Sequence, residues 1–116
     1  MSDAAHSIKV DTVLVGGRSV TRVRGDVDLH TAPRLRDLLI DLSKRLGGTL
    51  LVDLSQVEYM DSSGVGTMVY VKRELEKAGH KLVLTGLRPR VRGLFEITHL
   101  DAFFHITDSP EAADGP

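Results

Sequence analysis

The residues of this chain that could do chemistry gather in one stretch, Met60-Asp61-Ser62-Ser63-Gly64-Val65-Gly66. Two adjacent hydroxyls follow an acid and precede two glycines, a pattern that three kinds of chemistry could use. A nucleophilic serine is the first. The elbow that exposes a hydrolase serine has the form G-x-S-x-G, and its first glycine is missing here. No histidine stands at a spacing that marks it as a partner base, so hydrolysis fits poorly. Helix capping is the second, because Asp and Ser accept the orphan N–H groups of a first turn. Capping leaves the glycines unexplained, since each costs ~1 kcal/mol against alanine inside a helix, whereas small residues let another backbone come close. Phosphoryl acceptance is the third. A serine at an exposed helix start is open to a kinase, and free N–H groups at the positive dipole end suit an anion.

Asp53 offers a different acceptor, at the end of the apolar run Leu50-Leu51-Val52. Receiver domains carry phosphate on such an aspartate, and Asp26 and Asp28 could imitate their Mg²⁺-holding acidic pair. Against this, Leu82 to Thr85 is followed by Gly86-Leu87-Arg88 without the lysine such a site uses. The histidines His6, His30, His80, His99 and His105 form neither HxH nor HExxH, so they read as loop and surface residues, with no metal or cofactor implied. Arg88, Arg90 and Arg92 make one basic cluster, which reads as a solvated helix start.

The chain has 116 residues, enough for one domain: residues 1–116, with a core at about 8–107 and a frayed tail over 110–116. Lys and Arg number 15 against 16 Asp and Glu, a net charge of −1 that argues against nucleic-acid or anionic-membrane binding. Cysteine is absent, which excludes disulfides, thiolate metal sites and thiol nucleophiles. Five aromatics, Tyr59, Tyr70, Phe95, Phe103 and Phe104, supply no stacking platform. Met1 to Val10 lacks a secretory pattern and no run approaches a membrane span, so the expectation is a soluble, cytoplasmic chain.

The elements that must position these residues follow from periodicity. Ile8 to Val15 alternates, Gly16-Gly17 turns, and Ser19 to Arg24 returns, which predicts a hairpin. Arg22 and Arg24 are expected to face water on an open sheet face. Thr31 is placed as the N-cap and Pro33 in the first turn of a helix striped by Leu35, Leu38, Leu39, Leu42 and Leu46, ending at Gly47-Gly48. Leu50-Leu51-Val52 reads as a strand covered on both faces. Val65, Met68, Val69 and Leu75 stripe a second helix closed by Gly79. Leu82 to Thr85 is a further strand, Val91, Leu94 and Phe95 stripe a third helix, and Phe103 to Ile106 is a last strand or connection. Ser109-Pro110-Glu111 looks like one more helix start. The fold class is α/β: a mixed sheet opened by an N-terminal hairpin and packed with about four helices.

Three stretches in order, Gly25-Asp26-Val27-Asp28-Leu29-His30-Thr31-Ala32-Pro33, Val52 through Gly66, and Leu84-Thr85-Gly86-Leu87, resemble the STAS domain, specifically the single-domain bacterial anti-sigma factor antagonists. The resemblance spans roughly Val20 to Ile106. It implies that the unphosphorylated form binds an anti-sigma factor with serine kinase activity, which binds the ATP itself, and frees the sigma factor. Phosphorylation would switch binding off, and a phosphoserine phosphatase would restore it. The acceptor implied is Ser62, with Ser63 second. Asp26, Asp28, Asp61, Ser62, Ser63, Gly64, Val65 and Gly66 would meet the partner. No enzyme activity, cofactor, nucleic acid or membrane is implied, and the free protein is expected to be a monomer. The alternative is a STAS scaffold or accessory subunit, of a sensor complex or a lipid transporter, without serine phosphorylation. Departures from the family pattern are Asp26 where Glu is usual, a short final helix, and His99 in place of a common glycine, which predicts an altered turn there.

Overall fold

Gly16 and Gly17 both adopt positive φ, 57° and 81°, the turn whose twist matches a right-handed hairpin. They join β1 (Lys9–Val15) to β2 (Arg18–Arg24) as an antiparallel pair, with Lys9 opposite Arg24 and Val15 opposite Arg18. The structure is a computed structural model and describes residues 7–111. After the hairpin, helix and strand alternate: α1 (Ala32–Leu46), β3 (Thr49–Gln56), α2 (Ser62–Lys77), β4 (Lys81–Thr85), α3 (Pro89–Ile97) and β5 (His105–Thr107). The sheet order is β1-β2-β3-β4-β5, parallel everywhere beyond the hairpin. The mixed α/β sheet is as expected. Three α-helices lie among the described residues rather than about four, because the start at Ser109-Pro110-Glu111 opens only a short 3₁₀ segment where the described chain ends. The rest of the expected tail, and His6, lie outside the described residues.

Period-two alternation divides the strands between two clusters. Val23, Leu50, Val52, Leu54, Leu82 and Leu84 face the helices, joining Leu35 and Leu39 of α1, Met68 and Val71 of α2, and Val91 and Phe95 of α3. Val20, Leu51 and Val83 point the other way and pack with Val13 and Val15. Strand β3 is thus buried on both faces, which is why it needs a continuous apolar run.

Arg22 does more than face water. It turns onto the carboxylate of Asp53, its ladder partner, with Nε 3.2 Å from Oδ2, and that carboxylate is only 6% exposed. Arg22 is itself 37% exposed, so it reaches solvent while it covers the buried acid, and Arg24 reaches solvent further and pairs with Asp11 at 2.7 Å. Asp53 Oδ1 also accepts from Ser55 N at 2.9 Å. Gly86 packs so tightly that a β-carbon there would stand 2.8 Å from that oxygen. A carboxylate enclosed in this way gives a phosphoryl donor no approach, so the receiver reading fails. Arg88 completes the corner: its Nε donates to Ser55 O at 2.9 Å, fixing the exit of β3.

His99, which stands where the family commonly has glycine, takes a left-handed turn. It holds φ 59°, its N–H donates to Glu96 O at 3.0 Å, and Leu100 N donates to Phe95 O at 2.8 Å. Those are the two bonds of a Schellman cap, made with a residue that has a β-carbon.

Asp53→Ala strands the Arg22 guanidinium and the Ser55 N–H. Because Arg22 is 37% exposed and water can solvate it, the expected loss is about 1–2 kcal/mol, read as a lower urea midpoint at unchanged m value.

Candidate functional site

Strands β2, β3 and β4 are parallel, so their carboxyl ends share one edge of the sheet. Open α/β sheets commonly bind ligands at that edge. Two of its loops are fastened together. Val27 N donates to Tyr59 O at 3.0 Å, and Asp61 N donates to Val27 O at 3.1 Å. Val27 and Met60 form an isolated parallel bridge between them. Segment 25–31, with Asp26 and Asp28, therefore lies beside segment 57–61, which leads into Ser62.

Asp28 organises the first loop. Its Oδ1 accepts from His30 N at 2.8 Å and Thr31 N at 3.1 Å, and its carbonyl accepts from Ala32 N at 2.8 Å. Desolvation alone would raise its pKa; the hydrogen bonds from His30 and Thr31, with the His30 charge, outweigh it and hold the carboxyl below its ordinary 3.8. Thr31 stands at the N-cap position, but its hydroxyl does not cap α1. Its backbone is already helical (φ −98°, ψ −21°), so the hydroxyl turns back, donating to Asp26 O at 2.8 Å and accepting from Asp28 N at 3.0 Å. Asp28 supplies the capping carboxylate instead.

Asp61 caps α2 from an extended backbone (φ −109°, ψ −171°), accepting from Ser63 N at 2.8 Å. Its carbonyl takes Gly64 N at 3.0 Å and Val65 N at 3.4 Å. The Ser62 N–H is left with no acceptor among the described residues. Ser62 is exposed, Asp61 and Ser63 are half-buried, and Asp26 is exposed.

The two glycines separate. Gly64 is buried, and a β-carbon there would lie 2.4 Å from Met60 Cγ and 2.9 Å from Val27 Cγ1. The close approach is internal: it lets α2 sit against the loop bridge. Gly66 is exposed, and a β-carbon there would meet nothing within 4 Å. No contact inside the protein requires a residue that costs a helix ~1 kcal/mol against alanine. Val65 is 3% exposed and belongs to the core, so its side chain does not reach the surface.

Beside Ser63 and Gly66 runs a groove of about 300 Å³, closed on the α1 side by Leu29, Ala32, Pro33 and Arg36 and on the α2 side by Thr67 and Tyr70. The sequence reading missed it. Its signals were Leu29, apolar yet outside any stripe and 71% exposed, and the spacing of Ser63, Gly66, Thr67 and Tyr70, which sets them on one helix face. The basic cluster is partly structural: Arg88 holds Ser55 O, Arg92 faces Asp108 at 3.5 Å, and Arg90 is exposed. Among the described residues no group of three His, Cys, Asp or Glu could hold a metal ion. No helix among them is long and apolar enough to cross a membrane.

The hairpin-opened sheet and its tied loop edge define a STAS domain. The family model described as STAS domain matches residues 9–113, and the chain belongs to that family. It is 39% identical over 84 residues to the anti-sigma-B factor antagonist of Listeria monocytogenes, covering 72% of this chain and 74% of that protein. It superposes on an anti-sigma factor antagonist from Mycobacterium paratuberculosis with a TM-score of 0.79 at 27% identity, over 92% of this chain and 91% of that one. The Bacillus protein SpoIIAA matches in two states. The unphosphorylated form gives a TM-score of 0.71 at 26% identity, over 91% of this chain and 94% of that one. The phosphorylated form gives 0.62 at 25%, over 93% and 97%.

Gly64→Ala forces Met60 and Val27 apart and should destabilise the protein by about 2 kcal/mol in urea unfolding. Asp28 should titrate with a carboxyl ¹³C midpoint below 3.8. Because the folded value is the lower one, the ionised group stabilises the fold above the unfolded pKa, and this is lost as pH falls through the folded value. Asp28→Asn should remove that part of the acid dependence.

Proposed function

We propose that this protein is an anti-sigma factor antagonist switched off by phosphorylation of Ser62. The unphosphorylated chain binds an anti-sigma factor that is also a serine kinase and so frees the sigma factor. Ser62 Oγ then attacks the γ-phosphorus of ATP held by the partner. The Oγ–P bond forms as the bond to ADP breaks, and the hydroxyl proton leaves to a base of the kinase. A phosphatase reverses the modification. The chain performs no catalysis of its own, works in the cytoplasm and is monomeric when free. The names of the relatives support the partner class, and a phosphorylated SpoIIAA structure supports the mode of control.

The observation that carries this reading is the loop pair joined through Val27, which sets the Asp28 loop beside Asp61 and an exposed serine at the first position of a helix. A phosphate there can meet the unclaimed Ser62 N–H, so the fold tolerates it. It adds about −1.5 to −2 charge beside Asp61. Against an acidic partner surface, one like-charge contact at ~4 Å and an effective dielectric of ~20 costs about 4 kcal/mol. That is roughly three decades of affinity before screening. The switch is occlusion, not refolding.

Incubation with ATP and the anti-sigma kinase, followed by mapping of the modified residue, tests the acceptor. Ser62→Ala should abolish labelling; labelling that persists there would move the acceptor elsewhere, with Ser63 the first place to look. Ser62→Asp should bind about 10²-fold more weakly in calorimetry while its circular dichroism matches the wild type. A collapsed spectrum would make the switch structural, and capture of a transporter ATPase would favour the accessory reading.

A further inference from the structure

We propose that Gly66 is the point at which the main chain of the anti-sigma factor crosses α2, with an apolar side chain of that partner seated between Leu29, Pro33 and Tyr70. A carboxylate next to that side chain meets Arg36. This rests on the antagonist reading and names the contact by which it works.

Three observations converge. Gly66 is exposed in the second turn of a helix, and a β-carbon there would meet nothing within 4 Å. Its neighbour Gly64 is fully accounted for by Met60 and Val27, so the smallness of Gly66 serves something outside the chain. The groove beside it, about 300 Å³, is faced by large apolar groups left open to solvent: Leu29 is 71% and Tyr70 49% exposed. A half-buried tyrosine beside an arginine, Tyr70 and Arg36, is the composition of an interface centre rather than of a solvated helix face, and Leu29 adds open apolar area next to them.

Charge selects the occupant. Arg36 is the one charged residue lining this groove. Its Nε is held by Asp37 at 3.1 Å, and its guanidinium carbon sits 5.8 Å from the Tyr70 ring centroid. The terminal nitrogens have no acceptor among the described residues and are available to a carboxylate. A carboxylate-bearing segment crossing at Gly66 would pass one helical turn from Ser62. Phosphate on Ser62 would then repel it, which joins the groove to the switch.

The test is calorimetric titration of the full chain with the purified anti-sigma factor of the same genome, paired with thermal unfolding of each variant. Gly66→Ala should raise Tm by about 4 °C and weaken Kd about tenfold; Gly66→Leu should weaken it about a hundredfold. Leu29→Ala and Tyr70→Ala should each weaken it about tenfold, and Arg36→Glu more than Arg36→Ala. Arg73→Ala, exposed on α2 outside the groove, should bind as wild type. A Gly66→Ala protein that melts higher and binds unchanged overturns the proposal while leaving the antagonist reading intact. A wild-type chain that fails to bind overturns both. If light scattering shows wild-type dimers that Gly66→Leu dissociates, with anti-sigma binding untouched, the occupant is a second copy and the proposal is overturned.

Discussion

Two hydrogen bonds on the backbone of Val27, one given to Tyr59 and one received from Asp61, carry the loop edge of this domain. Val27 is wholly buried, so water cannot replace either bond, and losing one would leave a buried polar group unpaired. Gly64 lets the bonds form, because any side chain there would strike Val27 and Met60. The acids of one loop and the serine of the next keep their spacing because main chain, rather than flexible side chains, sets it. The surface proposed to be read by a partner and altered by one phosphate would need such a fixed frame.

The frame has a second support on the far face of the sheet. Ser55 is held at its N–H by Asp53 and at its carbonyl by Arg88, while Arg22 neutralises Asp53. The chain therefore leaves β3 along a fixed course before it reaches Tyr59 and Asp61. Charge buried in the sheet and charge at the loop edge are placed for different work: the first sets direction, and the second is what the proposed partner would meet.

Much of this was legible in the sequence wherever the cause is local. Gly16-Gly17 announced the hairpin, Leu50-Leu51-Val52 the doubly covered strand, and Asp61-Ser62-Ser63-Gly64 the capped helix start. What escaped depended on residues distant in the chain. Nothing local tells Arg22 to hold a carboxylate; its partner is Asp53, across a strand pairing that no periodicity reveals. Thr31 and Asp28 are both good caps by type, and the local backbone angles decided between them. Gly64 and Gly66 look alike as letters, and only the position of Val27 and Met60 shows that one is needed inside and the other is not. The groove was hidden for the same reason, being shared between two helices that the sequence presents separately.

The Val27 fastening also orders events in time. The segments it joins lie on either side of α1 and β3, so they meet only after that intervening chain has docked, and such nonlocal closures come at the expense of loop entropy. An unfinished chain carries the same serine as a mature one but lacks the surface around it. A kinase that recognises Asp28 together with Ser62 would pass over nascent or misfolded copies. On the proposed reading, such a switch would count only completed molecules, and maturation of the fold would become part of how faithfully the signal is relayed.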